Sequence, residues 1–139
     1  MSLYALDTNI VSLFERGHPR VCQRILSCSP ADLAITILTV EEQLTGWYAQ
    51  LRRARNRPQT AAAYLDMRDA LISLASWPIL LLTEPAIDRY HQLVSLKLNV
   101  AKMDLRIAAV TLEHGGILVT QNVRDFQRIP GLAIENWTV

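Results

Sequence analysis

Tyr4-Ala5-Leu6-Asp7-Thr8-Asn9-Ile10 is the stretch on which the fold class turns. Tyr4-Ala5-Leu6 is too short for a helix and reads as a buried strand. Asp7-Thr8-Asn9 are residues that cap helices, and a helix is predicted from near Ile10. The same succession recurs down the chain. Leu33-Ala34-Ile35-Thr36 reads as a second strand before a long helix from about Leu38 to Arg55. Ile79 to Leu82 reads as a third, followed by a helix from Pro85 to about Leu98. A helix over Met103 to His114 ends at Gly115-Gly116 and leads into a fourth strand, Ile117 to Thr120, with a short edge strand expected over Leu132 to Glu135. Strands separated by helices, with no hairpin signal between them, predict an α/β fold: a parallel central sheet covered by helices on both faces.

Two further helical features break this rhythm. Gly17-His18-Pro19 interrupts the first helix, and Pro19 suits the first turn of a second one running to about Cys28. In the long helix, Val40, Leu44, Trp47, Tyr48 and Leu51 recur at helical spacing as one apolar stripe. Pro58 ends or restarts that helix, and Ala61 to Trp77 is its expected antiparallel partner, with Leu65, Ala70, Leu71 and Leu74 available for packing. Together they predict a projecting helical hairpin with an arginine-rich bend.

The totals set limits. A chain of 139 residues suits one domain spanning 1–139, and 50% hydrophobic with 19% charged residues is a globular composition. No internal repeat, low-complexity tract or linker is visible. A net charge of +1 gives no bulk attraction for a polyanion, so any nucleic-acid affinity must come from local patches. Cys22 and Cys28 point in different directions on a helix and belong to no C-x-x-C pair, so they read as small apolar residues in a reducing compartment. The chain opens directly into a strand without a basic n-region and long apolar h-region, and its apolar runs are far shorter than a membrane span. A soluble, cytoplasmic protein is therefore expected.

Four carboxylates stand beside strand-to-helix switches: Asp7, Glu42, Asp104 and Asp125. In a parallel sheet, ligands bind beyond the carboxyl ends of the strands, and helix N-termini point to the same edge. Each acid alone has a plainer explanation. Asp7 and Asp125 are good capping residues, Glu41 and Glu42 complement a helix dipole, and Asp104 lies between Lys102 and Arg106. Glu42 is the stronger candidate of its pair because Gly46 lies one turn later on almost the same face, whereas Glu41 is rotated about 100° away. Capping does not explain why four acids should converge on one edge. Crowded carboxylates repel unless a cation neutralises them. With Asp, Glu, Asn and Thr as donors, and no convergent His or Cys, the expected ion is Mg²⁺ or Mn²⁺. Such an ion acidifies a bound water and steadies charge on phosphate oxygens, the equipment for phosphodiester hydrolysis.

These residues carry a resemblance. Leu6-Asp7-Thr8-Asn9-Ile10 looks like the opening motif of PIN-domain ribonucleases, and Thr39-Val40-Glu41-Glu42-Gln43-Leu44-Thr45-Gly46 resembles their second. Met103-Asp104-Leu105-Arg106-Ile107-Ala108-Ala109 resembles the third, D-x-x-I-A-A. The segment from Leu118 to Phe126, with Ile129-Pro130-Gly131-Leu132 and Asn136-Trp137, resembles the closing one. In length the chain is similar to the VapC toxins of bacterial toxin–antitoxin pairs. The resemblance implies Asp7, Glu42 and Asp104 as metal-binding acids, with Asn9 and Thr120 orienting ligands or the attacking water. It implies RNA as substrate, 5′-phosphate and 3′-hydroxyl products, a homodimer, and a cognate antitoxin that docks on the helical hairpin and covers the acids. One departure stands out: many relatives carry an acid where this chain has Asn122, which can orient substrate but brings no charge. Asp125 is then the residue placed to supply it.

Arg52, Arg53, Arg55 and Arg57 gather at the hairpin tip, either complementing a helix C-terminus or gripping RNA phosphates. Trp47 and Tyr48 read as core or interface residues rather than base-stacking platforms, and His91 and His114 as structural. Two other readings compete with the nuclease. One is a PIN-fold module that has lost catalysis and binds RNA or protein, to which Asn122 gives weight. The other is a phosphoacceptor receiver-like domain, which is disfavoured because no lysine follows Thr120 before Arg124.

Overall fold

The computed structural model describes residues 2–139. Five parallel strands form one sheet in the order β3-β2-β1-β4-β5, from β1 (Tyr4–Leu6), β2 (Leu33–Thr36), β3 (Ile79–Leu80), β4 (Ile117–Val119) and β5 (Ala133–Glu135). The first strand is central. Tyr4 lies opposite Leu33 on one side and Ile117 on the other. The chain leaves β1 in one direction and returns on its other flank, so a crevice opens at the carboxyl end between β1 and β4.

Side-chain alternation along these short strands builds two cores. Ala5 and Leu118 face α5 (Glu84–Ser95) and α6 (Lys102–Glu113), whose Tyr90, Leu93, Leu105, Ile107 and Ala108 are buried there. Leu6, Ile35 and Val119 face the other layer, built on α1 (Thr8–Glu15) and α2 (Pro19–Ser27) with Ile10, Val11, Val21 and Ile25. Trp137, 1% exposed, closes this second core beside Tyr4.

The helical hairpin is α3 (Ile37–Arg53) with α4 (Arg57–Ala75). Several boundaries and faces differ from expectation. The first helix starts at Thr8, because Asp7 caps it directly. Of the two roles expected for Pro58, the restart is the one seen: α3 has already ended at Arg53, and Pro58 sits in the first turn of α4, where its missing N–H costs nothing, behind the cap Asn56. The third strand is only two residues long, leaving Leu81 57% exposed. Leu65 and Leu71 do not pack inward but remain 49% and 46% exposed, beside Tyr64 and Ile72. Only Ala63 and Leu74 of α4 reach the interior, since a helix at the edge of the molecule has one side to bury. Tyr48 is likewise outside the α3 stripe at 54% exposure, whereas Val40, Leu44, Trp47 and Leu51 are half-buried. Both cysteines are free. His18 caps α2, and His114 bonds the Val110 carbonyl, so both have structural partners. Among the described residues no helix is long and apolar enough to cross a membrane.

Candidate active site

Asp7 follows the last residue of β1, and its backbone N–H bonds the Val119 carbonyl, which pins it at the β1–β4 crevice. Its two carboxylate oxygens are held separately. Oδ1 accepts from the Thr8 backbone N–H at 2.9 Å, and Oδ2 accepts from Thr120 Oγ1 at 2.8 Å. Thr120 is fully buried just past β4, and its hydroxyl also accepts from the Asn122 N–H. Capping and site-building are therefore one arrangement at Asp7. Burial pushes its carboxyl pKa up, and the bonds from Thr120 and Thr8 only partly offset this.

Glu42 comes from the second turn of α3, whose start is fixed by the Thr36 cap at the end of β2. Thr8 Oγ1 donates to Glu42 Oε1 at 3.1 Å and lies 3.2 Å from Thr39 Oγ1. The Glu42 carboxyl is raised by desolvation, lowered by Thr8, and raised again by the charges of Asp7, Asp104 and Glu41. Asp104 stands in the first turn of α6 and is raised by desolvation, then by Asp7 and Asp125. It forms no ion pair with Lys102 or Arg106; the Arg106 guanidinium lies over the Tyr90 ring instead. Three acids from three distant segments thus repel one another across a single edge.

Asp125 belongs to α7 (Val123–Phe126), on the side of Asp104. It accepts from Asn122 Nδ2 at 3.2 Å and lies 3.5 Å from Arg128 Nη1, while adding repulsion at Asp104. Asn122 therefore acts on its charged neighbour rather than standing free. Asn9 is exposed and makes no side-chain hydrogen bond among the described residues; Thr8 occupies the position between the acids. Arg52 and Arg53 end α3, Arg55 lies in the bend and Arg57 opens α4. All four are exposed and outside every ion pair among the described residues. From Glu42 to Arg53 is eleven residues of helix, about 16 Å, so the tip is remote from the acids.

Among the described residues no three His, Cys, Asp or Glu side chains close into a cage for a bare ion. The charge coupling among the acids nevertheless places them within reach of one another. The two observations agree for mutually repelling carboxylates spread around a hydrated ion, because Mg²⁺ keeps several waters and takes only one or two carboxylates. The donors are all oxygen, the set that suits Mg²⁺ or Mn²⁺.

The PIN domain family profile matches residues 4–132, from the first strand through the loop before the last. The chain belongs to the PIN domain family. Among PIN relatives, Ribonuclease VapC1 of Haemophilus influenzae strain R2866 is 27% identical over 142 residues, covering 98% of each chain. The tRNA(fMet)-specific endonuclease VapC of Salmonella typhimurium is 25% identical, covering 99% of each. Of solved structures, VapBC-1 from nontypeable Haemophilus influenzae superimposes with a TM-score of 0.77 at 25% identity over 99% of both chains. FitAcB from Neisseria gonorrhoeae gives 0.76 at 26%, over 96% of this chain and 97% of that one.

Two residues beside these acids, Thr8 and Thr39, lie inside the family-like motifs but were not singled out from the sequence as part of the site. By local pattern Thr8 is only capping material beside Asp7. Its partners Thr39 and Glu42 lie 31 and 34 residues away, a pairing that no local pattern encodes. The available signal was its place as first residue of a helix aimed at the acidic edge.

Proposed function

We propose that this PIN domain is an endoribonuclease, hydrolysing RNA phosphodiesters with Mg²⁺ or Mn²⁺, and that it is the toxin of a toxin–antitoxin pair. The observation that carries the proposal is the convergence of Asp7, Glu42 and Asp104 from three distant segments on one sheet edge, where burial raises all three carboxyls and the charge of Asp7 raises the other two. Nothing in folding rewards such an arrangement; a cation does. The relatives' names, Ribonuclease VapC1 and tRNA(fMet)-specific endonuclease VapC, support the nuclease half, and the likeness to the VapBC-1 structure supports a partner.

Asp7, Glu42 and Asp104 would hold the ion. When bound, it supplies positive charge against the phosphate oxygens and acidifies the water beside it. The protein's own groups do the rest. Thr120 and the Thr8 N–H hold the two oxygens of Asp7 in fixed directions, and Thr8 Oγ1 holds Glu42. Asn122 steadies Asp125, whose charge would stand in for the one that Asn122 itself does not bring. Helix N-termini of α1 and α6 turn their N–H groups to this edge, where a phosphate is favoured. The arginine tip would grip phosphates farther along the strand. The apolar face of α4, with Tyr64, Leu65, Leu71 and Ile72 uncovered, supports a protein partner on the hairpin, whether the antitoxin or a second copy in a homodimer.

Cleavage of single-stranded RNA by the purified chain with Mg²⁺ tests this. Asp7→Asn and Asp104→Asn should each lower the rate at least about 100-fold, since several kcal/mol of transition-state stabilisation passes through these acids. RNA binding without cleavage by the wild type would favour the inactive binding module instead.

A further inference from the structure

A cleft of about 240 Å³ runs along α3 from the acids, lined by Thr8, Glu42, Gln43, Gly46, Trp47 and Gln50. It shares Thr8 and Glu42 with the acidic site, so a phosphate seated at the acids delivers a neighbouring nucleotide to its mouth. Resting on the nuclease reading of those acids, we infer that this cleft receives the base next to the cut phosphate, read by Trp47 and the amides of Gln43 and Gln50.

Three observations carry the inference. The first is the lining chemistry. Beyond Glu42, already held by Thr8, the walls offer two amides and one flat indole, and no cation to attract a phosphate. Unstacked bases in RNA are bound by aromatic faces together with hydrogen bonds to their edges. The volume lies below the roughly 300–1,000 Å³ of clefts that enclose drug-sized ligands and suits one planar base.

The second is Gly46. It lies inside a 17-residue helix, where glycine is a poor choice. A Cβ there would meet nothing within 4 Å, so no neighbour demands its absence. What the missing side chain does is keep the cleft clear.

The third is Trp47. Its indole Nε1 is buried without a hydrogen-bond partner, alone in this among side-chain nitrogens and oxygens of the described residues. Buried donors are paired in the great majority of cases, so an orphan calls for an explanation. Turning the ring toward the cleft would give up no hydrogen bond, and an acceptor on a base edge would then satisfy the donor. The half-buried stripe residue is thus a recognition residue as well as a packing one.

The test uses Trp47→Phe, which keeps a ring and removes the donor, and Gly46→Leu, which fills the cleft with a residue that favours helix. In Asp104→Asn protein, three indole N–H signals are followed by NMR during addition of a short single-stranded RNA, and the Trp47 signal is identified by its loss in Trp47→Phe. That signal should move more than those of Trp77 and Trp137. On an RNA pool randomised around the cut, each variant should lose roughly tenfold of the wild type's nucleotide preference beside the cleaved bond, the scale of one hydrogen bond to a base edge. A Trp47 signal that stays still while RNA binds, or an unchanged pattern of cuts, overturns the inference and leaves the nuclease standing. Unchanged cuts with loss of binding to a protein partner assign the cleft to that partner, which also overturns it. Absence of any cleavage by the wild type removes the nuclease reading and this inference together.

Discussion

Thr120 is fully buried and gives its hydroxyl hydrogen to Asp7 Oδ2 at 2.8 Å. This bond and that from the Thr8 N–H are the influences that lower the Asp7 carboxyl against the larger effect of burial. Thr120→Val keeps the volume and removes the donor, leaving a buried carboxylate oxygen without a partner, at a cost of about 1–3 kcal/mol in urea unfolding. The Asp7 carboxyl then rises further, so the acid limb of the pH–rate profile should move to higher pH, and Thr120→Ser should restore it. The shifted acids also make a prediction about stability. Asp7, Glu42 and Asp104 all hold their protons more tightly in the folded chain than ordinary carboxyls do. Their contribution to stability without divalent ions is therefore greatest below the ordinary carboxylate range and falls as pH rises through the raised values. Asp104→Asn removes one such group. The ion-free variant should melt above the wild type at neutral pH and lose less stability between acid and neutral pH.

At the level of elements, the short strands were legible because each is an apolar run bounded by turn residues, and β1 and β2 lie where the pattern puts them. The faces of α4 were not legible. Leu65 and Leu71 read as core because apolar residues at helical spacing announce a buried stripe, without saying what buries it. A face reserved for another molecule and a face turned to the core obey the same periodicity. The site followed the same division. The place of Asp7 could be read from the strand-to-helix rhythm, whereas Asp104 follows a helix rather than a strand, and its approach to Asp7, like Thr8's link to α3, arises only when the segments meet. The α3–α4 bend makes its own prediction. If Arg52, Arg53, Arg55 and Arg57 grip phosphates, replacing them with alanine should weaken RNA binding evenly across sequences. The slope of log affinity against log salt, read by fluorescence anisotropy, should fall by roughly one for each phosphate released.

For the molecule as a whole, the strand order β3-β2-β1-β4-β5 gathers what the chain keeps apart. Asp7 and Thr120 are 113 residues distant in sequence and bonded in space because β1 and β4 are neighbours. Two cores hold that sheet rigid from both faces, so the acids cannot relax away from one another by moving the backbone. The fold therefore maintains a repulsion that protonation relieves at low pH and that, on the proposed reading, a bound cation would relieve at neutral pH. Thermal melting in rising Mn²⁺ reads this directly, because an ion that binds only the folded chain stabilises it by about 2.7 kcal/mol at one hundred times its Kd. The wild type should start below Asp104→Asn and overtake it as Mn²⁺ is added, while the variant gains little. Equal, Mn²⁺-independent melting of the two proteins would contradict a cation-organised site.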